Sequence, residues 1–69
     1  MNNTELRRRI ADLFTDIKGY YYADLNAWEA RKRGMVRRIA KAGTNNEKLK
    51  TIYHDLMEEL YGEGGLKGY

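Results

Sequence analysis

The sequence predicts an all-α fold, a helical hairpin of one long and one short helix. The chain has no proline to interrupt a helix and no cysteine, which excludes a disulfide framework and a thiolate metal site. Apolar residues recur at helical spacing along most of its 69 residues. Charged residues make up 33% and apolar residues 42% of the chain, which is the balance of a globular protein.

The first helix is predicted to run from about residue 4 to residue 41. On a helical wheel, its apolar side chains share one stripe roughly 120° wide that keeps its phase throughout. A straight helix of this length would measure roughly 57 Å. The stripe consists of Leu6, Ile10, Leu13, Phe14, Ile17, Tyr21, Leu25, Trp28, Met35 and Ile39.

A break near Gly19 is the alternative for this segment. Lys18 followed by Gly19 resembles a helix C-terminus. Against a break, residues 18–23 contain no Ser, Thr, Asp or Asn to cap a new helix, and a turn would tend to reset the phase of the stripe. We therefore expect a continuous helix, and a monomeric three-helix bundle if the chain does break.

The second helix is predicted over about residues 45–61. Ala42 and Gly43 end the first helix, and Thr44 with Glu47 has the pattern of a capping box. Residues 1–61 are then one helical domain. Residues 62–69 contain four glycines and are expected to form a flexible C-terminal tail.

The difference in length between the two helices predicts a homodimer. The second helix would span about 24 Å and would cover only the C-terminal part of the first. An apolar strip left uncovered near the N-terminus indicates a partner surface, and we expect a second copy related by a two-fold axis to form a four-helix assembly. The expected dimer interface is Leu6, Ile10, Leu13, Phe14, Ile17 and Tyr21.

The sequence contains no enzyme motif. His54 is the only histidine, and His54 with Glu58 supplies too few ligands for a metal. Asp12 and Asp16 share a helical face, as general acid/base pairs do, but nearby arginines at ion-pair spacing favour a surface role. We expect a non-catalytic protein with no cofactor, metal or small-molecule substrate. The longest uncharged run is five residues, which excludes a transmembrane helix and a signal-peptide core. We therefore expect a cytoplasmic location and no membrane partner, with binding to a membrane surface as a weaker third option.

The strongest functional signal is the charge of residues 31–43, which include six basic side chains and no acidic one. A basic stripe of this kind suits the phosphate backbone of nucleic acid. The other interpretation is a solvated face that the acidic second helix neutralises. Nucleic-acid binding is the alternative function, and its candidate residues are Arg31, Arg33, Arg37, Arg38 and Lys41.

The aromatic residues favour a protein partner. Tyr, Trp and Arg are enriched at the hot spots of protein interfaces, and Tyr20 and Tyr22 project to either side of the apolar stripe. We expect first a small regulator, adaptor or inhibitor that binds an unidentified larger protein, of a size common among phage and mobile-element accessory proteins. The candidate protein-binding residues are Arg7, Arg8, Tyr20, Tyr22 and Trp28.

Overall fold

The computed structural model describes residues 1–67, of which 79% are helical and none lies in a strand. Helix α1 spans Asn3–Lys18 and continues into a 3₁₀ turn, Gly19–Tyr21. Helix α2 spans Leu25–Ala42, and helix α3 spans Asn46–Tyr61. The chain therefore has the three helices of the alternative, and the continuous helix over residues 4–41 is wrong.

Asp24 explains the break. Its backbone leaves the helical conformation, with φ −146° and ψ 83°, and its side chain accepts a hydrogen bond from the Ala27 backbone nitrogen at 2.9 Å. This is an N-cap, and it lies one residue beyond the window of residues 18–23 that contains none. Gly19 itself keeps helical angles, φ −58° and ψ −23°. The turn also leaves the apolar stripe in phase, so its periodicity gives no sign of a break.

Helices α1 and α3 lie parallel, and α2 runs antiparallel to both. At one end, the Asn3 side-chain nitrogen donates to the Thr44 carbonyl oxygen at 2.8 Å, just before α3 begins. At the other end, Lys67 Nζ reaches a carboxylate oxygen of Asp16 at 2.6 Å, just after α3 ends. The ion pairs that show the antiparallel direction of α2 are Arg31–Glu59 and Arg38–Asp55.

The core consists of apolar side chains from all three helices. The buried members are Leu6, Ile10, Ile17, Trp28, Met35, Ala42, Leu49, Ile52, Leu56 and Leu60. The partly buried residues packed against them are Leu13, Phe14, Tyr21, Ile39 and Tyr53.

The strip assigned to the dimer interface is covered within one chain. Leu6, Ile10 and Ile17 are buried, and the strip's other three residues pack against the core. The expectation that this strip is exposed is therefore wrong, because the break before α2 lets α3 lie along α1. The homodimer was predicted from the exposure of this strip, so that argument for it no longer holds. A measurement of the mass in solution tests the homodimer.

One predicted position of the stripe points to solvent, since Leu25 is 65% exposed. Val36, which is not part of the stripe, is 60% exposed. The buried residues of α2 are instead Trp28, Met35 and Ala42, which are seven residues apart. With a separate start at Asp24, α2 turns only this narrow seam towards the core, and most of its surface faces outward.

The start of α3 differs from the capping-box prediction. Asn45 is the N-cap, because its side chain accepts from the Lys48 backbone nitrogen at 3.1 Å. Thr44 lies in the turn that follows Gly43, whose φ is 54°. The turn between α2 and α3 is therefore one residue longer than predicted, because the N-cap is Asn45 and not Thr44.

Residues 62–67 form turns against the end of α3. The backbone nitrogen of Leu66 donates to the Glu59 carbonyl oxygen at 2.8 Å, and that of Lys67 donates to the Leu60 carbonyl oxygen at 2.6 Å. Residues 68 and 69 lie outside the described residues, and the flexibility of the tail stays a prediction. No helix in residues 1–67 is long and apolar enough to cross a membrane.

Candidate nucleic-acid interface

The outer face of α2 carries three cations in line, which we call the basic row: Arg33, Arg37 and Lys41. They are four residues apart, so one follows the next at each turn over roughly 12 Å. All three are exposed, on the side of the helix away from the buried Trp28 and Met35. None of them forms an ion pair with another residue of the described chain.

Arg31 points towards α3 instead. Its Nη1 donates to Glu59 Oε2 at 2.8 Å and to the Tyr21 hydroxyl at 3.2 Å, and its Nη2 donates to the second carboxylate oxygen of Glu59. The hydrogen bonds that Arg31 donates to Glu59 raise the pKa of the guanidinium. Its charge is therefore partnered inside the fold, and Arg31 joins two helices.

Arg38 pairs with α3 but stays partly accessible on the surface. Its Nη2 donates to Asp55 Oδ2 at 2.6 Å, and both side chains are about half exposed. Arg38 also borders a cleft of about 190 Å³ with Lys41 and Lys48. Sequence reasoning missed Lys48, since only the fold brings the first turn of α3 beside the last turn of α2.

The rest of the outer face adds one cation and one exposed apolar residue. Lys32 Nζ lies 4.0 Å from Glu29, the only acidic residue of α2, in a pair more than half exposed. Such a pair contributes little and leaves the lysine accessible. Val36 lies beside the basic row on the same open surface. The exposed side of α2 is thus strongly positive.

Apart from Glu47 in the first turn, the acidic residues of α3 lie in its C-terminal half. Two of them, Asp55 and Glu59, reach back to α2 and hold Arg38 and Arg31. Acidic residues of α3 therefore neutralise two of the five candidate residues, Arg31 and Arg38. The three residues of the basic row are not neutralised in this way. The acidic side chains that line this end are Asp55, Glu58, Glu59 and Glu63.

The residues predicted to bind a protein do not form one surface. Trp28 is only 5% exposed and packs in the core, with its ring centroid 4.6 Å from that of Phe14. Arg7 donates to the Gly43 carbonyl oxygen at one end of the bundle. Tyr22, which is 85% exposed, lies at the other end. The fold also leaves Arg8 and Tyr20 exposed, without grouping them with the rest.

A second surface lies between α1 and α3. Leu13, Tyr53, Met57 and Tyr61 line an open groove of about 370 Å³, with Arg9 and Asp12 also in its lining. The sequence did not indicate this groove, because a continuous first helix would keep the N-terminal half of that helix away from the second.

The residues considered as metal ligands or acid/base groups lie apart from one another in the described part of the chain. No group of three or more His, Cys, Asp or Glu side chains in that part of the chain is arranged to hold a metal ion. His54 is exposed, with its ring centroid 5.5 Å from that of Tyr53, and Asp16 pairs with Lys67. Comparisons with protein-family models, curated proteins and solved structures found no match.

Proposed function

We propose that this protein binds nucleic acid through the basic row on α2. The observation that carries the proposal is that Arg33, Arg37 and Lys41 are exposed, in line and unpaired within the described chain. Six other basic side chains in residues 1–67 form ion pairs with carboxylates. Among the described cations that form no ion pair, Arg33, Arg37 and Lys41 follow one another along the same helix face.

Each residue of the row would contact a phosphate. An arginine presents a planar fork of donors that matches two phosphate oxygens, and a lysine presents a compact point charge. Lys32 and Lys48 extend the same positive surface at its two sides. Each phosphate contact releases condensed counterions, so affinity should fall steeply as salt rises.

A charge-matched pair of triple variants tests the proposal by fluorescence anisotropy with a labelled DNA duplex. Replacing the basic row by alanine (R33A/R37A/K41A) should abolish most of the binding. The control, R8A/K18A/K50A, removes the same number of positive charges from other faces and should bind nearly as the unchanged protein does. Between 50 and 200 mM salt, three phosphate contacts correspond to a loss of about 40-fold in affinity. Circular dichroism should show equal helicity for all three proteins.

Two results would contradict the proposal. Equal loss of binding in both triple variants would mean that only the net charge matters. A flat response of the unchanged protein to salt would mean that phosphate contacts do not supply the affinity.

A second candidate function is binding to a larger protein as a regulator, adaptor or inhibitor. The groove between α1 and α3 supports it, because tyrosine and methionine side chains are typical of protein-binding surfaces and Tyr53, Met57 and Tyr61 meet there. A tagged pull-down from a nuclease-treated lysate tests this function. The variant M57E should lose a partner that the basic-row variant retains, and loss in both variants or in neither would count against the groove.

A further inference from the structure

We infer that the basic row recognises the backbone of a nucleic-acid duplex and not a single strand. This inference rests on the proposed function and specifies its ligand. Its first support is shape, since Arg33, Arg37 and Lys41 lie along the convex outer surface of a helix and not inside a channel. Proteins that bind single strands enclose the backbone in a charged groove, whereas a convex helix complements the groove of a duplex.

The second support is that the described aromatic side chains lie away from this face. Single-strand binding proteins stack bases on exposed aromatic rings. Among residues 1–67, the aromatic side chains lie in the core, in the turn before α2, or on α3. The exposed Tyr22 precedes the first residue of α2, Leu25, which is itself roughly 18 Å from Arg37 along the helix axis. The face can hold phosphates but has no platform on which to stack bases.

The third support is the match of dimensions. An α-helix with its side chains is about 10–12 Å wide, and the major groove of B-form DNA is about 12 Å wide. Counting both strands, a duplex presents a phosphate for every 1.7 Å or so of its axis, which is twice the density of a single strand. The basic row is roughly 12 Å long, and Lys48 lies beside its end. More of these cations can therefore contact a phosphate on a duplex than on a single strand.

The distribution of charge also sets the orientation. The acidic side chains Glu58 and Glu63 lie at the C-terminal end of α3, away from the outer face of α2. A polyanion is repelled from that end and attracted to the basic row, so α2 faces the duplex. Nothing in this arrangement reads bases, and binding should be nearly independent of sequence.

The test uses the unchanged protein and probes of equal length at one salt concentration. The probes are two DNA duplexes of different sequence, about two helical turns long, an RNA duplex, and single-stranded oligo-dT. We expect both DNA duplexes to bind equally, and at least about tenfold more tightly than oligo-dT, because a duplex carries the denser charge. We expect the RNA duplex to bind less tightly than the DNA duplexes, because its major groove is deep and narrow, and tighter binding to RNA would contradict the match of dimensions.

The outcomes separate this inference from the proposed function. Oligo-dT that binds as tightly as the duplexes would overturn the inference and leave nucleic-acid binding in place. A strong preference for one DNA sequence would overturn it as well, since bases would then be read. Absence of binding to every probe would overturn the proposed function itself.

Discussion

Arg31 and Glu59 form the least exposed ion pair of the described residues, with less than a third of each side chain accessible. The bidentate contact joins α2 to α3, and Tyr21 accepts a further hydrogen bond from Arg31. We expect E59Q, which removes the charge and keeps the shape, to lower the free energy of unfolding by about 1 kcal/mol. Urea denaturation measures this change.

The matched control for this variant is E58Q, since Glu58 is exposed and forms no ion pair within residues 1–67. We expect it to change the free energy of unfolding by less than about 0.5 kcal/mol. Equal effects of E58Q and E59Q would show that the pair with Arg31 contributes nothing specific.

Gly34 and Gly62 are predicted to respond to alanine substitution in opposite directions. A Cβ at Gly34, inside α2, would meet no heavy atom within 4 Å, whereas a Cβ at Gly62 would lie 2.5 Å from the Glu58 carbonyl oxygen. We expect G34A to stabilise the fold by about 1 kcal/mol, because glycine is a poor helix former, and G62A to destabilise it by at least as much. Thermal unfolding followed by circular dichroism measures both. Destabilisation by G34A would mean that this part of α2 is not helical as described.

The identity of the charged residues was readable from the sequence, but their partners were not. Residues 31–43 stood out as basic, and in the structure acidic residues late in the chain pair with two of these cations, Arg31 and Arg38. Which cations remained free depended on the register between α2 and α3, which local patterns do not determine. For the same reason, Lys48 became part of the basic surface only in the folded chain.

Helix α2 owes its separate start to Asp24. Its carboxylate caps the helix by accepting from the Ala27 backbone nitrogen. We expect D24A to lower the free energy of unfolding by about 1 kcal/mol, since an N-cap aspartate is replaced by a residue that cannot accept. In a continuous helix, the same change would replace a weak helix former by a strong one and would stabilise the protein. The sign of the change in the urea midpoint thus distinguishes the two structures.

The control for D24A is D12A, within α1. Asp12 is exposed and makes no ion pair in the described part of the chain, so its replacement should be neutral or slightly stabilising. Stabilisation by both variants would contradict the break before α2.

The all-α class could be predicted because it follows from the helical spacing of apolar residues. The end of α2 at Ala42 could be predicted because Gly43 follows it. The break could not be predicted from the same spacing. Tyr21 and Trp28 are both on the stripe and both meet in the folded chain, with ring centroids 5.6 Å apart. Their contact crosses the turn, and a helical wheel shows the same alignment with or without it.

The three helices together cover the apolar strip of α1, and this predicts the state of the protein in solution. With Leu6, Ile10 and Ile17 buried inside one chain, no large apolar strip of α1 remains to join two copies. Light scattering should therefore give a mass near the 8.1 kDa of a single chain. Twice that mass would restore the homodimer, and its interface would then lie elsewhere, with the groove around Met57 as the first surface to examine.

Charge and shape lead to one orientation for binding. The basic row lies on the outer face of α2, Glu58 and Glu63 lie around the C-terminal end of α3, and the groove between α1 and α3 lies on another side. Each of these surfaces has its own set of backbone amides. A method that reports on every amide can therefore locate the ligand directly.

The most direct test is a titration of the ¹⁵N-labelled protein with a short DNA duplex, followed by amide chemical shifts. We expect the largest changes along residues 33–41 and at Lys48, with little change at Leu13, Tyr53 and Met57. Changes confined to the groove between α1 and α3, or no change at any amide, would contradict a nucleic-acid interface on α2.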